Sequence, residues 1–464
     1  MKLILAPLLA SLILAGCATV PDIDPKALPV TPAAFKEGEG RWTTVRPADS
    51  QPRGDWWRAF ADPVLDRLVE RAAESNTSIA VAAARLAQAR ALLQSNVANQ
   101  WPQLGLGASA SRAGGTANQA QFPPGTLVTA GANLSYEIDL FGKLAKASLA
   151  SELDAQAREA LLQNTRLLVQ ADVAQAYFAL RGLDEERALV RRTVSAYRET
   201  AALTERRFRA GDVAELEVLR AGTQVAATEA EAFALDRRRA ELEHAIAVLV
   251  GEPASSFGLV ETDWTTSLPV IPAGVPSTVL ARRPDVAAAQ RTVLASSVRI
   301  GVAEAAWFPD LSLTGAAGYA SPEIGDLFKW SMRAWGVGAL LALPIIDGGR
   351  RDAGVQFANA ERDATLAQYR ERVLVAFKDV EDQLSALRHL ASQAAAQERA
   401  VASATRSTAL SDVRYRNGYV SQLDLLDAQR SELANRRQSV QVRTAQYQAT
   451  VGLVRALGGG WGQS

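Results

Sequence analysis

Histidine, cysteine and net charge are all scarce in this sequence, and each scarcity removes a class of function. Two histidines, His244 and His389, and one cysteine, Cys17, occur among 464 residues. A single cysteine excludes a disulfide framework or a cysteine-clustered zinc site. Both histidines lie in charged helical stretches, where solvated or helix-packing side chains are expected rather than metal ligands or catalytic groups. No Walker sequence, Gly-x-Ser-x-Gly or His-Glu-x-x-His is present, and Gly105-Leu-Gly107 stands without the βαβ alternation of a nucleotide fold. Fifty Lys and Arg balance fifty Asp and Glu, so the basic excess of a nucleic-acid binder is missing. With 48% hydrophobic residues and a mean hydropathy of −0.02, the chain is not a polytopic helical membrane protein. No enzymatic activity, cofactor or metal site is expected.

One apolar run is present, Leu3 to Ala15, between Lys2 and the small residues Ala15 and Gly16. A basic start, a short apolar stretch and small residues make a secretory signal over residues 1–16, too short for a stable transmembrane helix. Leu14-Ala15-Gly16-Cys17 resembles the bacterial lipoprotein box. The resemblance implies cleavage before Cys17 and a covalent lipid on its sulfur, and Ala18 suits sorting to the outer membrane. Residues 17–55 carry Pro21, Pro25, Pro29, Pro32, Pro47 and Pro52, so this lipidated segment is expected to be extended.

Beyond it the chain repeats itself. An offset of 207 residues carries Pro102, Leu104 and Leu106 onto Pro309, Leu311 and Leu313. The same offset carries Gly131, Leu134 and Gly142 onto Gly338, Leu341 and Gly349, and Asp172-Val173 onto Asp379-Val380. It carries Arg207-Phe-Arg-Ala-Gly211 onto Arg414-Tyr-Arg-Asn-Gly418, and Gly251 onto Gly458. So many matches in constant register mean a tandem duplication. The first repeat spans residues 56–251, a Pro-rich connector 252–276, the second repeat 277–458 and a short tail 459–464.

Each repeat has the same internal pattern. A proline-free stretch of helical spacing precedes Pro102. Then the period becomes two, at Leu104, Leu106, Ala108 and Ala110, and after a Gly/Pro-rich loop at Val128, Ala130, Ala132, Leu134, Tyr136 and Ile138. This predicts a β-hairpin over about 102–140, with strands long enough to cross a bilayer at a tilt. Leu311, Leu313, Gly315, Ala317 and Tyr319, then Trp335, Val337, Ala339, Leu341 and Leu343, predict its counterpart over about 309–347. Trp101, Tyr136, Phe141, Trp307, Phe308 and Trp335 fall near strand ends, where an aromatic girdle belongs.

Proline is then absent from Gly142 to Glu252 and from Ile345 onward. Leu153, Ala157, Ala160, Asn164, Leu167, Ala171, Ala174 and Phe178 step by threes and fours, as do Leu366, Tyr369, Val373, Ala376, Val380, Leu384 and Leu387. These are near-heptad seams with alanines that permit close helix approach. A helix from Lys143 to Phe208 would run roughly 100 Å, more than a globular domain needs. Gly211 and Gly418 each end one helix, and acidic residues open the next. The expected fold is mainly α with a transmembrane β-barrel: helix, β-hairpin, very long helix, turn, helix, twice over. Four strands cannot close, and an open sheet edge cannot sit in hydrocarbon. The chain must therefore pool strands with copies of itself, and a conduit favours a homotrimer of twelve strands.

Further motifs stand at the start of the second repeat and at the hairpin exits: Leu280-Ala-Arg282-Arg283-Pro284-Asp285-Val286, Phe308-Pro309-Asp-Leu311-Ser-Leu313, Asp139-Leu-Phe141-Gly142 and Leu343-Pro344-Ile-Ile346-Asp347-Gly348-Gly349-Arg350. Beside the second glycine turn stand Arg414-Tyr415-Arg416-Asn-Gly418 and Leu423-Asp424-Leu-Leu426-Asp427-Ala-Gln-Arg430. Together these resemble the motifs of the outer-membrane efflux proteins (the TolC-like outer membrane factors), in their lipoprotein branch, the last two lying at the family's inner helix tip. The resemblance implies a trimeric bacterial outer-membrane channel, continued by a long α-helical periplasmic barrel. Its partners would be a periplasmic adaptor (membrane fusion) protein and an inner-membrane efflux pump of the RND type exporting small molecules. It places a periplasmic gate at Leu423, Asp424, Asp427 and Arg430, with Tyr415 just before the turn, and adaptor or pump docking at the turns of Gly211 and Gly418.

The plainer reading of Asp424 and Asp427 is that acids early in a helix complement its dipole. The first repeat has Glu217 in place of Asp424 but Arg220 in place of Asp427, which makes Asp427 harder to dismiss as a cap. Arg430, opposite Thr223, also reads as an ordinary surface arginine. Two alternatives stand beside the efflux channel: a soluble coiled-coil periplasmic scaffold lipoprotein, and the outer-membrane component of a type I protein secretion system.

Overall fold

A computed structural model describes residues 31–32, 34–38, 54–114, 125–269 and 282–459. Cys17, the expected signal segment and most of residues 17–55, expected to carry the lipid, lie outside the described residues, as does Leu280. The elements in chain order are helices α1 (Pro63–Ser75) and α2 (Thr77–Ala98), strands β1 (Gln103–Ala113) and β2 (Gly125–Ile138), and helices α3 (Lys143–Arg209) and α4 (Glu215–Leu249). The second repeat supplies α5 (Pro284–Ala305), β3 (Asp310–Ser321), β4 (Arg333–Ala342), α6 (Arg350–Arg416) and α7 (Gln422–Ala456). Helix, hairpin, 67-residue helix and 35-residue helix thus occur twice, as the duplicated sequence requires. The chain divides into two compact units, each built from both repeats.

The first unit draws on residues 84–159 and 288–371 and holds the sheet. Its order is β1-β2-β3-β4, every neighbour antiparallel. The two hairpins join through β2 and β3, where Leu134 faces Gly315 and Ala132 faces Ala317. Beneath the strands, Ala150 and Leu153 of α3 pack against Leu294, Ala295 and Val298 of α5. Short side chains let these helices come close, and their hydroxyls bond across the seams: Gln100 donates to Ser148 at 2.7 Å, and Ser296 and Thr365 share a hydrogen bond of 2.8 Å.

The second unit draws on residues 30–83, 160–287 and 372–464 and is helical. Its apolar centre is aromatic: Phe60, Phe178, Trp264 and Tyr447 touch one another with ring centres 4.7–6.2 Å apart. Asp62 ties this centre to α1. One carboxylate oxygen accepts from the Val64 and Leu65 amides at the helix start, and the other accepts from the Tyr177 hydroxyl at 2.6 Å. Midway along α3 charged residues are buried among apolar ones such as Leu180, Leu183 and Val190. Asp184 receives Arg239 at 2.8 Å and lies 3.4 Å from both Arg181 and Arg187, while Arg187 also holds Asp236 at 2.6 Å. Buried charges persist only when paired in this way.

The C-terminal ends of α4 and α7 show how the repeats diverged. Asn76 donates its side-chain amide to the Leu249 carbonyl at 2.8 Å. Arg283 occupies the equivalent place 207 residues on, and donates to the equivalent carbonyl, Ala456, at 3.3 Å. Arg283 also grips Asp285 with two hydrogen bonds of 3.0 and 2.8 Å and Asp379 with one of 3.0 Å. Burial alone would raise the Asp285 carboxyl; the Arg283 guanidinium overrides it and holds the group below the usual carboxylate range.

Candidate functional site

Two surfaces carry the chemistry, one in each unit. In the sheet, side chains alternate between faces with period two. Register then collects Leu104, Leu134, Gly315 and Val337 on one face, with Leu106, Ala132, Ala317 and Trp335 beside them. The opposite face carries Ser109, Thr129, Asn133, Ser135, Ser312 and Thr314 among glycines and alanines, with Leu127 and Leu340 as its large apolar residues. Apolar residues that a packed core would cover are bare: Leu106 is 87% exposed, Val337 82% and Trp335 77%. β1 and β4 have no partner strand on their outer edges among the described residues. A sheet that is apolar on one side and polar on the other suits a boundary between hydrocarbon and water. Among the described residues no helix is long and apolar enough to cross a membrane.

The aromatic residues expected near the strand ends behave in different ways. Phe141 and Phe308 stack with centres 4.6 Å apart, and Trp307 carries the Arg351 guanidinium over its ring at 4.4 Å. Trp335 instead stands in β4 opposite Ala317. His244 and His389 are exposed on their helices.

In the helical unit, the turns at Gly211 and Gly418 are built alike. Each glycine has a left-handed backbone, φ +81° and +76°, which a side chain would strain. The Asp212 amide donates to the Arg207 carbonyl and the Gly211 amide to Phe208; Tyr419 donates to Arg414 and Gly418 to Tyr415. This paired closure satisfies the last carbonyls of α3 and α6 and reverses the chain within a few residues.

The helices that leave these turns start differently. Ser421 caps α7 through a reciprocal capping box with Asp424: the Asp424 amide donates to Ser421 Oγ, and the Ser421 amide donates back to the Asp424 carboxylate at 3.0 Å. The Ser421 hydroxyl also donates to the Asp424 carboxylate at 2.7 Å, and this bond, with that of the Ser421 amide, holds the Asp424 carboxyl below its ordinary range. At the start of α4 the equivalent residue is Ala214, which provides no side-chain cap.

Leu423, Asp427 and Arg430 fall on one stripe of α7 and are exposed, while Asp424 sits a third of a turn away in its cap. Asp427 lies 3.7 Å from Arg430, whose guanidinium donates to Gln224 of α4 at 2.7 Å. Tyr415 is not with them. It is 2% exposed, its hydroxyl shares a hydrogen bond of 3.2 Å with Thr204, and Arg207 lies over its ring. Gln422 donates to the same Thr204 at 3.1 Å. Thr204, Gln422 and Gln224 form cross-helix ties that the sequence motifs did not single out. Their signal was the breakdown of the repeat, since Ser411, Glu215 and Ser431 stand at the corresponding places. Alongside, Leu203, Arg206, Asp412, Tyr415, Leu425 and Glu432 border an open groove of about 870 Å³ between α3 and the second-repeat helices.

The family model for outer membrane efflux proteins matches residues 68–252 and again 275–459. The chain is 31% identical, over the full length of both, to a solvent efflux pump outer membrane protein, SrpC, of Pseudomonas putida. It is 30% identical to the cation efflux system protein CusC of Escherichia coli O6:H1, with 99% of each chain covered. The solved outer-membrane channel OprN superposes with a TM-score of 0.86 at 31% identity, covering 96% of this chain and all of that one.

Proposed function

This chain belongs to the outer membrane efflux protein family, and we propose from that premise that it forms the outer-membrane exit duct of a tripartite efflux system. The observation that carries the proposal is the sheet: an exposed apolar face, a polar opposite face, and two edge strands free to pair. Three copies joined β4 to β1 give a closed barrel of twelve strands with the apolar face toward lipid and the polar face toward a water-filled lumen. Such a conduit makes and breaks no covalent bond. It passes what an inner-membrane pump delivers through a periplasmic adaptor, with small molecules or ions as cargo, in keeping with the solvent and cation efflux named for the relatives.

In this reading Cys17 carries the lipid that holds the extended arm to the membrane, and the turns at Gly211 and Gly418 point into the periplasm as the docking ends. The gate is the exposed stripe of Leu423, Asp427 and Arg430, with Asp424 beside it. Threefold symmetry would gather the carboxylates of three chains around one opening, where they attract cations. The Arg430–Gln224 and Tyr415–Thr204–Gln422 ties hold α7 closed against its neighbours, so opening requires breaking them. Conductance in planar bilayers tests the whole: the purified protein is expected to give discrete single-channel steps, with Arg430→Ala raising the open fraction. A protein that binds bilayers without conducting would overturn the duct.

A further inference from the structure

The charged residues of the strands are distributed by face and by end. On the polar face the only ones are Glu137 and Asp310, both at the end where the helices attach, and Lys143 bridges them at 3.2 and 3.1 Å. On the apolar face the only ones are Arg112 and Arg333, both at the opposite, hairpin end. Arg112 pairs with Thr126 near the close of β1, and Arg333 pairs with Tyr319 as the first residue of β4.

An arginine on a lipid-facing surface is costly at mid-bilayer and nearly free at the headgroup level. The two guanidiniums therefore mark where the hydrocarbon ends. Aromatic side chains at the same end fit that depth, because an amphipathic ring is best placed where one side is apolar and the other wet. Tyr319 and Phe328 meet edge to face at 5.6 Å, Arg333 lies 4.5 Å over the Trp330 ring, and Phe328 and Trp330 are each 73% exposed. Arg333 gives one hydrogen bond to the Trp330 carbonyl at 2.9 Å, which leaves most of its five N–H donors for other partners. No carboxylate pairs with Arg112 or Arg333 among the described residues, whereas the nearby Asp326 is taken by Lys329 at 2.6 Å. These arginines stand on β1 and β4, the two strands that become neighbours when one copy joins the next.

On the barrel reading given above, we propose that Arg112 of one protomer and Arg333 of the next form a seam site for a phosphorylated lipid headgroup of the outer leaflet. A guanidinium pair matches a phosphate monoester in charge and in its planar, forked donors. The ring of Trp330 holds one guanidinium facing outward, and the lipid's acyl chains lie against Trp335, Val337 and Leu106 below. The site would occur once per seam.

The full-length protein, reconstituted in nanodiscs of phosphatidylethanolamine, tests this. The discs are doped with the bisphosphorylated, acylated glucosamine disaccharide of bacterial outer leaflets or with its dephosphorylated form, and retained glycolipid is counted by native mass spectrometry. The wild type is expected to retain the phosphorylated form selectively. Arg112→Gln and Arg333→Gln should each weaken retention about fivefold and together about thirtyfold, as expected for two headgroup-level charges. Single-channel conductance of the double variant should remain at the wild-type level. Equal retention of both glycolipids, or retention unaffected by the double substitution, would overturn the site. Displacement of the glycolipid by millimolar inorganic phosphate would also overturn it, by showing a site for the free anion. Failure of the barrel reading appears separately, as wild-type protein that does not conduct, and it removes the proposal with it.

Discussion

The two repeats keep one geometry and differ in chemistry, most clearly at the roots and tips of their second helices. Asn76 and Arg283 sit at equivalent places and serve equivalent carbonyls, Leu249 and Ala456. The neutral amide makes that bond while its oxygen accepts from the Ser78 and Ile79 amides at the start of α2, whereas the guanidinium makes it while holding the charges of Asp285 and Asp379. At the tips, Ser421 and Asp424 cap α7 reciprocally and Ala214 leaves α4 uncapped. Duplication fixed where backbone groups need partners, and later substitution changed the strength of the partner. The second-repeat helix is therefore the more firmly pinned at both ends, and the proposed gate stripe lies on it.

That contrast can be broken first at the roots. Arg283→Ala should lower stability by about 4 kcal/mol, because it strands two carboxylates and a helix end, while Asn76→Ala, which removes the α2 cap and one carbonyl bond but strands no charge, should cost about 2 kcal/mol. Denaturant unfolding followed by helicity measures both, and equal losses would contradict the asymmetry. The pH dependence sharpens it. The folded Asp285 carboxyl is held below its unfolded value, so its contribution is complete above the unfolded pKa and disappears as pH falls through the folded one. The gap between wild type and Arg283→Ala should be constant near neutrality and close in acid below about pH 4. The Asn76 gap should not follow that course.

Smaller effects follow from the residues next along. Gly251 and Gly458 both have positive φ, +75° and +85°, and an added Cβ would lie 2.4 Å from the Ser75 carbonyl oxygen and 2.8 Å from that of Arg282. Alanine at either is expected to cost at least about 2 kcal/mol, from left-handed strain plus the displaced strand of backbone. At the tips, Ser421→Ala should speed amide exchange in the first turn of α7 about fivefold. Ala214→Ser, which recreates a box with Glu217, should slow exchange in α4 by a similar factor. No change in either would show that capping does not distinguish the tips. The smallest expected effect is that of Asp427→Ala, a modest fall in cation preference seen in reversal potentials, since this carboxylate is exposed and already close to Arg430.

Much of the architecture was readable because period and register are local properties. The alternation at Leu104, Leu106, Val128 and Ala130 specified a strand face, and pairing has put those residues on one side. The steps of three and four through Leu153, Ala157, Leu167, Ala171 and Phe178 marked buried positions of α3. Ala160 and Asn164, in the same series, are only half-buried. The charged middle of α3 was not readable: Arg181, Asp184 and Arg187 look like solvated residues until Asp236, Glu261 and Arg239 arrive from elsewhere in the chain. The tip was half readable. Leu423, Asp427 and Arg430 share a stripe as their spacing requires, but Tyr415 turned inward to Thr204, a contact between residues 211 positions apart that no local pattern encodes.

The central claim is that one chain cannot complete its own sheet and that three close it together. The direct measurement is the mass of the detergent-solubilised protein by native mass spectrometry. A single species of three chains that survives removal of excess detergent is expected. A stable, homogeneous species of one chain under the same conditions would contradict it.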